Sequence, residues 1–347
     1  MAVPPSSSPR PLRTAPPPVS RGGIGLAQGR YGLRGNLELV LCDDQDGLWV
    51  LWFNSDPQDT SPEPGGPPPG EWSGALRFAT GRRYDEVGVL QSRHGPHHLE
   101  LLARSGDTTH RLRWSPEQAF TAEQPPPGAP ARAIGTTETA NGTLWTGILA
   151  KDGRPRLLRA DASAYPRLTW ADDTPAAGLP TDDRWTAMTL VAGPGTDTGA
   201  DAGPGTNGGS DADAERPAVV LVGDREGVFL SPTGETHPLP AAALAAAVTA
   251  DDGVRLYLWS EGPWLEVLAP GSPGGARRLP LPGSGEVTAL AATPLSHEPD
   301  GTDLVVRRGG HLWHLRDTGR EDAATAAELT SRLTPAPGNG PHSVHRG

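Results

Sequence analysis

The chain is poor in several things at once, and each shortage excludes a class of protein. One cysteine, Cys42, stands among 347 residues, so no intramolecular disulfide framework can exist. Cys42 ends an apolar strand with no cation beside it in sequence, which argues for a buried thiol and against a nucleophile. Basic residues are outnumbered 30 to 41, leaving a net charge of -11, the wrong sign for a nucleic-acid surface. No apolar run approaches the length of a membrane-spanning helix, and Met1–Ser20 lacks the apolar core of a secretory signal. Cytoplasmic residence is the default expectation, with non-classical export as the alternative. Catalytic signatures are also missing: there is no G-x-S-x-G elbow, no H-E-x-x-H, no Walker A loop and no dinucleotide fingerprint. The expectation is a non-enzyme with no cofactor and no metal.

Glycine (45) and proline (39), by contrast, make up near a quarter of the chain. That approaches the composition of a disordered chain, but here the two residues gather in discrete runs. The runs suggest a Pro/Ser/Arg-rich leader at 1–22, low-complexity inserts at 56–70 and 194–216, and a flexible tail at 336–347. Text of the same strand-like texture resumes on both sides of each insert. One interrupted domain over 23–335 is therefore expected.

Tryptophan (10) outnumbers tyrosine (4) and phenylalanine (4) together, and it recurs in a pattern. Leu37–Val40, a turn at Asp46-Gly47 and Leu48-Trp49-Val50-Leu51-Trp52 form one copy. Leu99–Arg104, a turn at Ser105-Gly106-Asp107 and His110–Trp114 form a second, and Asp303–Arg307, Gly309-Gly310 and His311–Asp317 a third. Each is a period-2 strand, a tight turn and a second strand carrying tryptophan. Leu37 and Leu99 stand 62 residues apart, or 47 once the 15-residue insert is set aside. That is the blade length of a β-propeller. The same spacing finds weaker units at Leu144–Arg159, Met188–Leu230 and Val254–Leu268, and the last unit begins at Val287 and contains the Trp313 hairpin. The sequence thus predicts an all-β fold, a single β-propeller of about six four-stranded blades, with room for a degenerate seventh. Two alanine-rich pieces fit less well on propensity. Ala241–Val248 reads as an inner strand of small residues and Ala323–Leu333 as a candidate terminal helix.

The text Gly35-Asn36-Leu37-Glu38-Leu39-Val40, Asp46-Gly47-Leu48-Trp49, Trp52 and Trp72-Ser73-Gly74 resembles the repeat of bacterial propeller lectins, a group that includes fucose-binding lectins and sialidase-like propellers. Gly29-Arg30-Tyr31-Gly32 and Val89–Arg104 also resemble an actinobacterial propeller repeat family. The resemblance implies sugar sites in shallow pockets between adjacent blades, built from aromatic faces and polar groups. On the matching positions the candidate ligand-binding residues are Trp49, Trp52, Asn54, Trp72, Trp114, Trp313, His314 and Arg316. The competing reading makes these tryptophans wedges between blades. The repeats also decay along the chain: Thr109-His110 stand where the second copy's first tryptophan should be.

Other clusters carry less. His94, His97, His98 and His110 do not have the convergent spacing of a zinc site, and Asp43–Gly47 lacks the closing carboxylate of an EF-hand. Carbohydrate binding is thus the leading functional expectation, so the expected partners are glycans or a protein, with no nucleic acid and no membrane. A protein-interaction scaffold is the main alternative and a glycoside hydrolase or sialidase-like propeller the distant one.

Overall fold

The computed structural model describes residues 20–29, 36–56, 67–92, 98–115, 118–128, 130–165, 167–175, 179–180, 182, 184–192, 216–250, 253–271, 276–295, 301–319 and 324–329. Within them lie six four-stranded antiparallel sheets, each built from four consecutive strands. Blade 1 holds β1 (Ser20–Gln28), β2 (Leu37–Asp43), β3 (Leu48–Phe53) and β4 (Leu76–Phe78). Blade 2 holds β5 (Glu86–Gln91), β6 (Leu99–Ser105), β7 (Thr108–Ser115) and β8 (Ala119–Glu123). Blade 3 holds β9 (Ala131–Glu138), β10 (Thr143–Ala150), β11 (Pro155–Asp161) and β12 (Ala171–Asp172). Blade 4 holds β13 (Trp185–Val191), β14 (Ala218–Gly223), β15 (Gly227–Leu230) and β16 (Thr236–Leu239). Blade 5 holds β17 (Leu244–Ala250), β18 (Gly253–Trp259), β19 (Trp264–Leu268) and β20 (Arg277–Pro280). Blade 6 holds β21 (Val287–Pro294), β22 (Thr302–Arg308), β23 (His311–Asp317) and β24 (Ala324–Glu328).

The first strands of successive blades pack side by side, and β21 meets β1, so the ring closes as a six-bladed β-propeller. Closure buries both faces of sheets that would otherwise expose them, and leaves only short outer edges. Near the axis the blades converge and space is scarce. A Cβ on Gly88 of β5 would meet Thr136 Cγ2 of the next blade at 2.9 Å, so a larger residue there would force the neighbouring blade's side chain to shift. The alanines of β17 and β21 answer the same demand. Farther out the blades splay and larger wedges enter, such as Trp145 between blades 3 and 4, fully buried with Met188, Leu190 and Val219. The turns follow from glycine: Gly47, at φ +85°, sits in a left-handed conformation between β2 and β3.

Each blade is continuous in sequence, so no blade is shared between the two ends of the chain. The seam between blades 6 and 1 is held by side chains instead. Arg307 on β22 donates to Ser20 Oγ (2.8 Å) and to the Gly22 carbonyl, and the Gln28 amide donates to Thr293 Oγ1 at 3.0 Å. Burial pulls the Arg307 guanidinium below its ordinary pKa, which is the cost of placing that cation in the seam.

Two details differ from the sequence reading. β1 begins at Ser20, inside the stretch assigned to the leader. The Ala323–Leu333 helix does not form: Ala324–Glu328 is β24, paired with β23 from Asp317↔Ala324 to Trp313↔Glu328. Helix propensity, strongest in alanine, is still a small bias, and an open sheet edge on blade 6 offers this segment a full ladder of backbone partners. Most of the leader, the inserts and the tail lies outside the described residues.

Candidate functional site

Because side chains alternate along a strand, each blade sends alternate residues of its second and third strands toward the next blade and the others toward the previous one. In blade 1, Leu39, Leu51 and Phe53 join the core shared with blade 6, while Val40, Leu48 and Val50 join the core shared with blade 2. The sequence-predicted residues therefore divide among several clefts.

Three blades place an acid at the second position of the second strand, facing the following blade. Glu38 pairs in register with Trp52, Glu100 with Arg113, and Asp303 with Arg316. In blade 3 the corresponding register is Trp145 opposite Arg159. The three acids fall in consecutive clefts, 6–1, 1–2 and 2–3, and each cleft has a different internal chemistry.

In cleft 6–1, Asp303 is 1% exposed. Its Oδ1 lies 2.8 Å from His314 Nε2 and accepts from Arg316 Nε at 3.2 Å. His314 meets Phe53 and Trp72 of blade 1 edge-on, with ring centroids 5.0 and 5.4 Å away. Trp72 itself is buried and packs 5.3 Å from Phe53. Asn54, also buried, donates through Nδ2 to the Pro67 carbonyl and accepts the Asp56 amide, so it ties down the base of the first insert. Four of the candidates, Asn54, Trp72, His314 and Arg316, thus meet at one seam.

In cleft 2–3, Glu100 accepts from Arg111 Nε and from the hydroxyl of Tyr165, which reaches across from blade 3. The guanidinium carbons of Arg111 and Arg113 lie 5.5 and 5.2 Å from the Tyr165 ring centroid. Burial raises the Glu100 carboxyl and the Tyr165 phenol above their ordinary values, and the charge of Glu100 raises the phenol further.

Cleft 1–2 is the contrasting one. Glu38 is half-buried, and among the described residues no hydrogen bond or ion pair reaches its carboxyl. Burial alone pushes it up to about 8, so it is protonated at neutral pH. Half-buried Trp52 is its cross-strand neighbour. Half-buried Trp114 of β7 in blade 2 packs on the core that the two blades share.

The remaining candidates sit toward the opposite end of the blades. Trp49 donates its indole N–H to Asp43 Oδ2 at 2.5 Å and lies under Arg77, 5.7 Å from the guanidinium carbon. Asp43 also accepts the Gln45 and Asp46 amides, closing the acidic turn on itself. Burial opposes an ionised Asp43, yet these donors and Arg77 outweigh it and hold the carboxyl below its usual range. Trp313 packs into the core of blades 5 and 6, beneath Gly283. His98 lies edge-on to Tyr165 at 6.1 Å and His110 edge-on to Tyr84 at 5.9 Å, while His94 and His97 fall outside the described residues. Among the described residues no three His, Cys, Asp or Glu side chains converge as a metal site would require. No described helix is long and apolar enough to cross a membrane.

Glu38, Glu100 and Asp303 are absent from the sequence-based candidates although each stands in a recognised repeat. The signal was the acid after Leu37, Leu99 and Thr302, one residue into the strand.

The fold has counterparts among solved structures. AofleA from Arthrobotrys oligospora superposes with a TM-score of 0.60 at 10% identity, covering 90% of this chain and 87% of that one. The SapL1 lectin, solved in complex with alpha methyl fucoside, gives 0.56 at 12% identity over 91% of this chain and 97% of its own. The BP39L lectin from Burkholderia pseudomallei gives 0.54 at 14% identity over 89% and 99%. At such identities the likeness concerns the fold. No protein-family model matches the chain, and no curated protein sequence does.

Proposed function

We propose that this chain is a non-catalytic carbohydrate-binding propeller whose working site is the cleft between blades 1 and 2. The observation that carries this reading is Glu38, a half-buried carboxyl with no partner among the described residues, set beside Trp52 on the blade face where Trp114 packs on the shared core. A sugar offers an apolar C–H face to an aromatic ring and hydroxyls to polar groups. A protonated carboxyl can both donate to and accept from such hydroxyls. Lectin propellers of the same fold, one of them holding a fucoside, support the ligand class. The proposed organisation is a leader that ends where β1 begins at Ser20, the propeller up to 335 and a tail at 336–347.

A glycan array probed with the full chain tests the reading. Binding should fall at least tenfold in Trp52→Ala and in Glu38→Ala, each with an unchanged β-sheet spectrum. Absence of any glycan signal at high protein concentration would overturn it. The scaffold reading draws on a different observation, the sealing of neighbouring clefts by the protein's own side chains. It predicts a protein partner recovered by pull-down that survives Trp52→Ala.

A further inference from the structure

We propose that Ser20 is a phosphorylation site, and that Arg307 holds the resulting phosphoserine so that it locks the seam between blades 6 and 1. Arg307 is 4% exposed and brings its charge into the seam without an anion to meet it. Its guanidinium donates to Ser20 Oγ and Thr288 Oγ1, each at 2.8 Å, and to the carbonyls of Gly22 and Thr288. These acceptors are all neutral, and among the described residues no carboxylate bonds to Arg307. A buried cation is ordinarily matched by an anion, because water no longer solvates it. The acids nearby are committed elsewhere. Asp43, the register partner of Ser20, is held by the Trp49 indole and by Arg77. Asp85 and Glu86 on blade 2 both face Arg104, at 3.7 and 3.0 Å.

Two hydroxyls touch Arg307, and the backbone separates them. Thr288 lies inside β21, between the ladder pairs Val287↔Arg308 and Ala289↔Arg307, so presenting it to an enzyme means unfolding a blade. Ser20 is half-buried and opens β1. It pairs with Asp43, but the register shifts before Ile24, so Arg21, Gly22 and Gly23 carry no ladder pair to β2. Gly22, at φ +77°, supplies a hinge that other residues rarely adopt. Lifting this end costs the Arg307 bonds and the bond from the Gly23 amide to the Asp85 carbonyl, 2.7 Å long. A protein kinase with a nucleoside triphosphate supplies the group. Ser20 Oγ attacks the γ-phosphorus, the bond to the β-phosphate oxygen breaks, the diphosphate leaves and the hydroxyl proton passes to the kinase's base. When the strand settles back, a doubly charged acceptor replaces a neutral one in front of Arg307, with exposed Arg21 as a second cation beside it.

The test encodes phosphoserine at position 20 of the full chain and follows amide exchange. Exchange in β1 should slow by about tenfold relative to β13, the effect of one or two charge-assisted hydrogen bonds. In Arg307→Met the same modification should give no slowing. Unchanged or faster exchange with Arg307 present, or equal slowing in both backgrounds, overturns the proposal. If R307M does not fold, a phosphorus NMR titration of the phosphorylated wild type decides. Contact with Arg307 should push the second phosphate pKa below its usual value of about 6, and an ordinary value overturns the proposal. Labelled ATP in an extract of the cells that make the chain tests the acceptor. Label should appear at Ser20 and be lost in Ser20→Ala; label elsewhere only, or none, overturns the proposal. Glycan binding enters none of these measurements, so either result leaves the reading of cleft 1–2 as it stands.

Discussion

Blades 1 and 2 place a glutamate at the same register, facing the next blade, and the two residues live in opposite circumstances. Glu100 is met by Arg111 and by Tyr165 from across its cleft. Glu38 has Val50 and Trp52 where blade 2 has Arg111 and Arg113, and no described residue pairs with its carboxyl. The lesson is that a repeat position does not carry a function by itself. Its chemistry is set by the cross-strand neighbour and by whatever the following blade sends over. The ring shows the same contrast at larger scale. Blade 3 puts Trp145 at that register and fills the cleft with apolar contacts. Between blades 5 and 6, Asp317 accepts from the Tyr257 hydroxyl at 2.8 Å and from Arg277 at 2.5 Å, closing the cleft by hydrogen bonds. Burial, reinforced by the Asp317 charge, raises the Tyr257 phenol above its ordinary value.

If clefts divide into sealed and open ones, substitutions should separate stability from binding. The largest effect is expected at Trp145→Ala, which empties a fully buried wedge and should cost about 3–5 kcal/mol in denaturant unfolding, with no specific loss of ligand. A cost below about 1 kcal/mol would break the distinction. Next comes Arg307→Met at the ring seam, which loses charge-assisted hydrogen bonds to Ser20 and Gly22 but also relieves a buried cation. A net loss of about 2 kcal/mol is expected, seen as earlier hydrogen exchange in β1 than in β13.

Trp52→Ala should behave in the opposite sense to Trp145→Ala. Its half-buried ring contributes less to folding, about 1–2 kcal/mol, while glycan binding disappears. The smallest effect concerns pH. Glu38 is protonated more readily in the folded chain, where its pKa is about 8, than unfolded, where it lies near 4.5. Its favourable contribution is complete below about pH 4.5 and is lost as pH rises toward 8, because ionising the buried carboxyl is penalised. Glu38→Gln should therefore match the wild type in acid and exceed it by about 1 kcal/mol at pH 9. A pH-independent difference in melting temperature would show that Glu38 is solvated like a surface acid.

Much of the architecture was legible in the residues. A 47-residue spacing of strand, turn and tryptophan strand specifies blades, because period-2 alternation fixes which residues enter the cores on either side of each sheet. The alanine-rich inner strand β17 was legible for the same reason, since small residues are what converging blades admit. The terminal alanine stretch was misread because its partner, the open edge of β23, is a tertiary fact. The tryptophans were legible as a set but not by role. Trp49 and Trp52 sit three residues apart on one strand, yet one faces blade 6 and the other blade 2.

What the sequence determined alone is the repeating hairpin and the alternation of its strands, and its lack of catalytic signatures set the expectation of binding. What only the tertiary structure decided is which side chain arrives from the neighbouring blade. That arrival joins residues as distant as Glu100 and Tyr165, 65 positions apart, or Ser20 and Arg307, 287 apart. No local pattern encodes such pairs. They come together because closing the ring brings every blade against the next, and the last against the first.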